Sequence, residues 1–259
     1  MKKRLDVLLV ERGLAETRER AQALVLAGDV SVNGRTFDKA GMQVDAAAEI
    51  VVRAPLPYVG RGGYKLAGAL DDFGVSPEGK VCADIGASTG GFTDVLLQRG
   101  AARVYAIDVG YGQLAWKLRQ DSRVIIMDRV NARYLDRLPE PAALIVVDVS
   151  FISLELILPV ARNLLTSTGE MVALVKPQFE AGPERVGRGG IVRDPATHRL
   201  VLEKVVGAAD SRDLRVLGLV RSAIAGAEGN VEFLVHLTRD LSRSPLDVPA
   251  AIARIINVT

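Results

Sequence analysis

The stretch VCADIGASTGGF, residues 81–92, decides the fold of most of this chain. Its first five residues are mostly apolar and predict a buried strand, and the small residues that follow predict a tight turn into a helix. Beside such a turn the backbone can approach a bound ligand closely. The glycines Gly86, Gly90 and Gly91 are also compatible with a tight turn that binds nothing, so the neighbouring sequence has to distinguish the two.

From residue 60 onward, apolar strands alternate with helical segments. Continuous apolar strands of this kind are typical of a parallel sheet that helices cover on both faces. Near the end, residues 215–222 and 231–238 flank the turn 226–230 and predict a hairpin, which we expect to form an antiparallel edge of the sheet. A final helix is predicted over 246–256. The earlier strands are predicted at 81–85, 104–107, 124–127, 144–147 and 171–175, and the helices near 92–99, 111–119 and 151–166.

The first 53 residues have a different pattern, which predicts a small α+β module. Leucines at helical spacing predict a first helix, Thr17 is a candidate N-cap for a second, and Asn33-Gly34 predicts a hairpin turn. Two prolines, Pro55 and Pro57, then predict a stiff, extended connector. We therefore divide the chain into a module at 1–53, a connector at 54–59 and an α/β domain at 60–259.

Composition narrows the function classes without choosing one. The 259 residues carry a formal net charge of +2, so overall charge alone does not indicate a nucleic-acid binder. A single cysteine, Cys82, and two histidines leave no disulfide framework and no zinc motif, so we expect no metal and a reducing compartment. We find no signal peptide and no membrane span, and we expect a cytoplasmic protein.

Acidic residues at successive strand ends predict a nucleoside cofactor beside the glycine turn. Asp108 ends the second strand, where it can accept hydrogen bonds from ribose hydroxyls, and Asp128 ends the third, within expected reach of an adenine. Both NAD and S-adenosylmethionine fit this pattern. Asp84 favours S-adenosylmethionine, because a carboxylate just before the first glycine would repel a pyrophosphate. The candidate cofactor-binding residues are Asp84, Gly86, Ser88, Gly90, Phe92, Asp108, Asp128 and Asp148.

Four charged residues lie where helices or strands are expected to meet this crevice. Asp148 and Lys176 end the fourth and fifth strands, Glu232 starts the last strand, and Lys65 begins the helix before the first strand. A charge at the end of a buried strand is costly unless it is paired, so two lysines and two acids could satisfy one another. Each could instead form an ordinary surface salt bridge, although four at one crevice argue for a catalytic set.

The motif Asp-x-Gly-x-Ser-x-Gly-Gly-Phe at 84–92, combined with those four charges, resembles the FtsJ-type ribose 2′-O-methyltransferases. The N-terminal module resembles an S4 RNA-binding domain in residues 4–6, 21–28 and 30–34. In this order the two parts are similar to the hemolysin A (TlyA) family of ribosomal RNA methyltransferases over essentially the whole chain. One departure lies in the connector, where the family often has Arg-x-Trp-Val and this chain has Leu56-Pro57-Tyr58-Val59.

The resemblance implies a class I S-adenosylmethionine-dependent methyltransferase domain of Rossmann-like fold behind a small S4 domain. It implies methylation of a ribose 2′-hydroxyl in ribosomal RNA, on cytidine in 16S and/or 23S rRNA. Lys176 is our candidate for the group that takes the hydroxyl proton or stabilises the alkoxide. We expect ribosomal RNA or ribosomal subunits as partners, and a monomer or weak dimer. The alternatives are an RNA-binding protein without activity and a membrane-lytic hemolysin.

Basic residues in both parts are candidates for RNA contacts. The residues 177–193 form a long glycine-rich and arginine-rich segment, for which we predict a flexible lid that orders on RNA. In the N-terminal module the charges are mixed, and an ordinary solvated helix face explains them equally well without the S4 resemblance. The candidate RNA-binding residues are Lys3, Arg4, Arg18, Arg20, Arg61, Arg185 and Arg188.

Overall fold

A computed structural model describes residues 2–53, 57–226 and 228–256. The chain divides into two compact units, one that ends at Pro57 and one that begins at Tyr58. This boundary falls inside the connector predicted at 54–59, of which residues 54–56 lie outside the described residues. Tyr58 and Val59 pack against the core of the second unit. Residue 227 of the predicted turn 226–230 also lies outside the described part.

The first unit is the predicted α+β module. The Thr17 side chain accepts a hydrogen bond from the backbone N–H of Arg20 and caps the second helix, as its sequence predicts. Asn33 and Gly34 have φ angles of 49° and 77°, which a two-residue hairpin turn requires. The elements are β1 (Lys2–Arg4), α1 (Leu5–Glu11), α2 (Arg18–Leu26), β2 (Val30–Val32), β3 (Arg35–Thr36), β4 (Gln43–Asp45) and β5 (Ile50–Val52).

The second unit is built on a seven-stranded sheet with helices on both faces. All five predicted parallel strands are present, and the sheet order is β11-β12-β10-β9-β6-β7-β8. Separate apolar cores lie on its two faces, which explains why the strands are apolar along their whole length. The elements are α3 (Gly62–Phe73), β6 (Val81–Ile85), α4 (Gly91–Gln98), β7 (Arg103–Asp108), α5 (Trp116–Arg119), β8 (Val124–Asp128), β9 (Ala142–Val147), α6 (Leu158–Leu164), β10 (Leu165–Val175), α7 (Pro177–Glu180), α8 (Pro195–Asp210), β11 (Arg215–Arg221), β12 (Phe233–Thr238) and α9 (Val248–Ile256).

The late hairpin is present and forms an antiparallel edge of the sheet, as predicted. Its second strand, β12, pairs with both β10 and β11, so it lies one strand in from the edge. The outermost strand, β11, therefore runs parallel to β10. The long connection through α8 carries the chain past β10 to the edge, and β12 then returns between β10 and β11.

Two predicted helices are shorter than their sequences suggest. Of residues 111–119 only α5 is helical, because the carboxylates of Asp108 and Asp128 bind the N–H groups of Gly110 and Gly112 and hold that backbone in a loop. Residues 151–166 contain a 3₁₀ turn at Leu154–Leu156 and then α6, which ends where β10 begins.

The segment 177–193 is more ordered than a glycine-rich loop predicts. It begins with α7, contains a 3₁₀ turn at Pro183–Arg185, and buries Glu180 and Val192. The N–H of Val192 donates to Asn230 Oδ1 at 2.9 Å, which fixes its far end. Residues 187–190 are exposed. Residues 187–190 are therefore the part of the segment that could act as the predicted lid. That they become ordered when RNA binds stays a prediction.

Candidate active site

The turn between β6 and α4 leaves no room for side chains at its glycines. A Cβ on Gly86 would lie 2.4 Å from the backbone oxygen of Asp148, and one on Gly90 would lie 2.2 Å from Leu118. Both have φ near +90°, a conformation that L side chains rarely adopt. Gly86 therefore lets the turn approach the end of β9, whereas Gly90 serves the packing of α4 against α5.

Asp84 lies completely buried at the base of this turn. One carboxylate oxygen accepts a hydrogen bond from the hydroxyl of Thr93 at 2.6 Å, and the other, Oδ1, has no protein partner. Burial raises the pKa of Asp84 to about 7, against the lowering effect of Thr93. The side chain thus orients the first turn of α4 and retains one acceptor without a partner.

A cavity of about 490 Å³ lies at the carboxyl ends of β6, β7 and β9. Asp108 forms part of its wall, and its two oxygens accept from the N–H groups of Ser88 and Gly110 at 2.8 and 2.7 Å. Asp128 does not line the cavity: it accepts from Gly112, and its ion pair with Arg119 measures 3.5 Å. Its contact with adenine stays a prediction. The wall consists of Ile85, Gly86, Ser88, Ile107, Asp108, Val109, Gln113, Val130, Asn131, Ala132, Asp148, Val149, Ser150, Phe151, Ile152 and Ile157.

A second cavity of about 240 Å³ shares part of that wall and brings the predicted charged residues together. It contains Lys65, Lys176 and Asp148, with the candidate RNA ligand Arg61 at its rim and the buried ring of Phe92 in its floor. The shared residues are Gly86, Ser88, Asp148 and Ser150.

The four charges form two ion pairs rather than one cluster. Lys65 Nζ lies 2.5 Å from Glu232 Oε2, and Lys176 Nζ lies 2.6 Å from Asp148 Oδ1. The angles at the Lys176–Asp148 contact do not suit a hydrogen bond, so this contact is an ion pair only. Lys176 donates its hydrogen bond to the hydroxyl oxygen of Ser150, at 2.8 Å. Lys65 and Lys176 are each 11% exposed. Both amines are therefore held in place by acids, as buried charges require.

The sheet explains why residues so far apart in sequence meet here. β9 and β10 are parallel neighbours that end directly before Asp148 and Lys176, and β12 starts beside the end of β10, where Phe233 pairs with Val175. Glu232, directly before Phe233, therefore lies at the same edge. Lys65 enters from the first turn of α3.

Comparison with known families agrees with this geometry. A family model described as an FtsJ-like methyltransferase matches residues 58–239, and a model described as an S4 domain matches residues 3–50. The chain belongs to the FtsJ-like methyltransferase family. The predicted class I methyltransferase fold and the N-terminal S4 domain are thereby confirmed, and the sequence resemblance to hemolysin A (TlyA) proteins is borne out by the relatives below.

Three relatives cover most of the chain. YqxC of Bacillus subtilis, provisionally named an rRNA methyltransferase, is 54% identical over 91% of this chain and 85% of its own length. The TlyA protein of Mycobacterium tuberculosis, named a 16S/23S rRNA (cytidine-2′-O)-methyltransferase, is 43% identical over 93% of this chain and 91% of its own. A solved structure from Streptococcus thermophilus, provisionally named a hemolysin, has 48% identity and a TM-score of 0.76, and the match covers 98% of this chain and 94% of that one.

An aromatic pair with one exposed member, Phe151, stands beside the ion pairs of this FtsJ-like domain, and sequence reasoning missed it. Phe151 is 90% exposed and has a φ of +63°, which is rare for a bulky residue. Its ring centroid lies 5.0 Å from that of Phe179, and Lys176 Nζ lies 5.9 Å from the centroid of Phe179. In the sequence Phe151 begins an apolar run, so it resembles a core residue. Its exposure next to a catalytic candidate indicates a contact surface.

Two arginine–tyrosine pairs, also missed, lie on the loops beside the larger cavity. Arg129 stacks over Tyr111 at 4.3 Å and Arg133 lies 5.6 Å from Tyr134, measured to the ring centroids. Both tyrosines are largely exposed. Aromatic rings interleaved with cations suit single-stranded nucleic acid, because bases stack on the rings while the cations attract phosphates.

The predicted RNA-binding residues of the S4 domain are partly neutralised by acids. Arg4 and Arg18 both contact the buried carboxylate of Asp6 at 3.0 Å. Hydrogen bonds from Arg4, Gln22 and Arg18 hold the pKa of Asp6 far below its usual value. Asp6 thus gathers two guanidinium groups that remain about half exposed. Lys3 pairs with Glu11 at 2.6 Å, and Arg20 is exposed.

Arg185 and Arg188, the candidates in the second unit, are both exposed on the segment after α7. Arg185 contacts its neighbour Glu184 at 3.6 Å. Among the described residues there is no group of three or more His, Cys, Asp or Glu that could hold a metal ion.

Proposed function

We propose that this protein transfers a methyl group from S-adenosylmethionine to a ribose 2′-hydroxyl of ribosomal RNA. The target would be cytidine in 16S and/or 23S rRNA, as in the name of the Mycobacterium tuberculosis relative. The observation that carries this proposal is the arrangement of two lysine–carboxylate pairs around a cavity that adjoins a larger, nucleoside-sized one. Because ribosomes are its substrate, we expect it to act in the cytoplasm.

The larger cavity fits the cofactor. Its walls combine isoleucines that can enclose an adenine with the carboxylates of Asp108 and Asp148 and the close backbone at Gly86 and Ser88. Asp84 lines neither cavity, so its part is to hold the first turn of α4 behind the glycine turn through Thr93. When bound, S-adenosylmethionine supplies a methyl group already activated by its sulfonium charge, so the protein has mainly to position the acceptor.

The residues of the smaller cavity account for activation of that acceptor. Lys176 either takes the hydroxyl proton as a neutral amine or, as the ammonium paired with Asp148, stabilises the negative charge that develops on the ribose oxygen. Ser150 and Asp148 fix its nitrogen. Lys65, anchored by Glu232, adds a second positive charge in the same cavity. Both lysines would attract the phosphates that flank the target ribose.

Recognition of RNA would combine the S4 domain with surfaces of the methyltransferase domain. A ribose inside a duplex cannot enter a cavity of this size, so we expect the target nucleotide to leave its stack. Phe151, exposed beside Ser150, offers a ring on which its base can stack. Arg61 at the cavity rim and the pairs Arg129–Tyr111 and Arg133–Tyr134 would contact the flanking strand.

The test is transfer of tritiated methyl groups from S-adenosylmethionine to separated small and large ribosomal subunits, followed by mapping of the modified nucleotide. Lys176→Ala should abolish the transfer, whereas Arg199→Ala, on the exposed surface of α8, should leave it unchanged. Label on a base rather than a ribose would contradict the 2′-hydroxyl assignment. If wild-type protein binds subunits but transfers nothing, the protein is an RNA-binding module without activity.

The name hemolysin, carried by several of the similar proteins, suggests membrane lysis as another function. In the described part of the chain, no helix combines the length and apolar character needed to cross a bilayer. No observation on the site favours lysis over methyl transfer.

A further inference from the structure

A buried carboxylate outside the two cavities connects the loops that carry the reactive residues. Glu180, the last residue of α7, accepts a hydrogen bond from the hydroxyl of Ser153 at 2.6 Å and one from the N–H of Leu154 at 2.7 Å. Ser153 and Leu154 follow β9, whereas Glu180 follows β10. One side chain therefore bridges the segment of Asp148 to the segment of Lys176.

The carboxylate of Glu180 is buried, hydrogen-bonded and close to few charged groups. Its side chain is 2% exposed, and burial raises its pKa in spite of the hydrogen bonds from Leu154 and Ser153. The charged groups that face it are Lys204 of α8, at 3.7 Å, and Glu155, which pairs with the same lysine at 2.9 Å. Lys204 lies closer to Glu155 than to Glu180, and a buried ion pair is weak evidence for stability. The hydrogen bonds from Ser153 and Leu154 are the closest contacts of the Glu180 carboxylate.

The bridge fixes features that face the substrate on both sides. Ser153 lies two residues after Phe151, and its hydroxyl also caps the following 3₁₀ turn. On the other side, α7 starts directly after Lys176 and carries Phe179. The 5.0 Å contact of the two phenylalanine rings and the contacts of Lys176 with Ser150 and Asp148 all span the same two segments.

We propose that Glu180 is a positioning residue for methyl transfer, which holds the segment after β9 against the segment after β10 so that Phe151 and Lys176 keep their places around the target nucleotide. Glu180 touches neither cavity, so it acts through Ser153 and Leu154. This role rests on the proposed function. A misplacement of about 1 Å caused by a change remote from the reacting atoms can cost about 100-fold in rate.

The experiment compares Glu180→Ala, Glu180→Gln and Ser153→Ala in methyl transfer to ribosomal subunits. Glu180→Ala should lower kcat by up to about 100-fold per folded molecule. Glu180→Gln should recover much of this loss, because its amide oxygen can accept from Leu154 while its amide nitrogen donates to Ser153. Glu203→Ala, an exposed acid next to Lys204 on α8, is the matched control and should behave as wild type.

The kinetic constants separate positioning from mere support of the fold. A change that only loosens the fold lowers the fraction of folded molecules, whereas misplacement of Phe151 and Lys176 should lower kcat per folded molecule in both Glu180→Ala and Ser153→Ala. In the cycle of these two variants, the double variant should lose less than the product of the single losses, because both changes break one bridge.

The results distinguish a failure of the proposed function from a failure of the positioning role of Glu180. If wild-type protein transfers no methyl group, the proposed function fails. If the wild type is active and Glu180→Ala keeps its kcat per folded molecule, the positioning role is overturned. Should Glu180→Ala not fold, Ser153→Ala decides: a wild-type kcat per folded molecule in that variant would overturn the role.

Discussion

The buried pair of Lys65 and Glu232 gives the sharpest prediction, because stability and activity should respond to it differently. The carboxylate of Glu232 is 3% exposed, and its partner nitrogen lies 2.5 Å away. Lys65→Met would leave that charge uncompensated, which typically costs about 3–5 kcal/mol. Lys65 is 11% exposed, so water can reach the vacated position, and we expect the lower end of this range, about 3 kcal/mol. For a domain of this size that corresponds to a fall in Tm of about 6–12 °C.

The double variant Lys65→Met/Glu232→Leu removes both charges and should regain most of the lost stability, because apolar replacement of a buried pair is often neutral or stabilising. Neither variant should transfer methyl groups. Urea unfolding gives the free energies, and transfer is measured at a temperature at which both variants are folded. A double variant as unstable as the single one, or one that is active, would refute the reasoning. Arg162→Met, which breaks the exposed pair with Asp213, should cost less than about 1 kcal/mol and serves as the control.

Three further predictions concern single positions. Gly63→Ala should lower the free energy of unfolding by about 1–3 kcal/mol, measured in urea, because its Cβ would lie 2.4 Å from the ring of Tyr58. Gly68→Ala in the same helix has ordinary space for a Cβ and should stabilise the protein slightly. Equal effects of the two changes would contradict this packing. Phe151→Ala should weaken RNA binding by about 5–150-fold in filter binding without cofactor, the value of one stacked base, and an unchanged affinity would exclude stacking on this ring. The pKa of Asp84 is about 7 in the folded protein and 3.8 ordinarily, so the unfolded chain loses this proton at a lower pH than the folded protein does. As the pH rises from about 4 to 7, the free energy of unfolding of the wild type should therefore fall relative to that of Asp84→Asn. Parallel curves of this free energy against pH, measured by urea unfolding, would contradict the prediction.

The sequence predicts the sheet well, because strands buried on both faces appear as unbroken apolar runs. It also predicts that Asp148, Lys176 and Glu232 share an edge, since each directly follows or precedes a strand. Helix prediction over 111–119 fails because two carboxylates bind the loop backbone there, a contact between distant residues that periodicity does not reveal.

Exposure was harder to predict than position. Phe151 stands in a run of apolar residues, and nothing in that run indicates a positive φ that turns the ring outward. Arg4 and Arg18 could be recognised as basic, but only the fold shows that Asp6 gathers them. The bridging role of Glu180 likewise depends on two segments that meet across the end of the sheet.

The order of the last two strands has a direct bearing on the site. Neighbouring strands lie about 4.8 Å apart, so a residue on an outermost β12, beyond β11, would stand about 4.8 Å farther from β10. From there Glu232 could not hold Lys65 in the cavity that Lys176 occupies. Because β12 instead folds back between β10 and β11, its first residues reach the end of β10, and the second lysine gains its carboxylate. The antiparallel insertion in the sheet is thus what allows two lysines, rather than one, to be held at the same cavity.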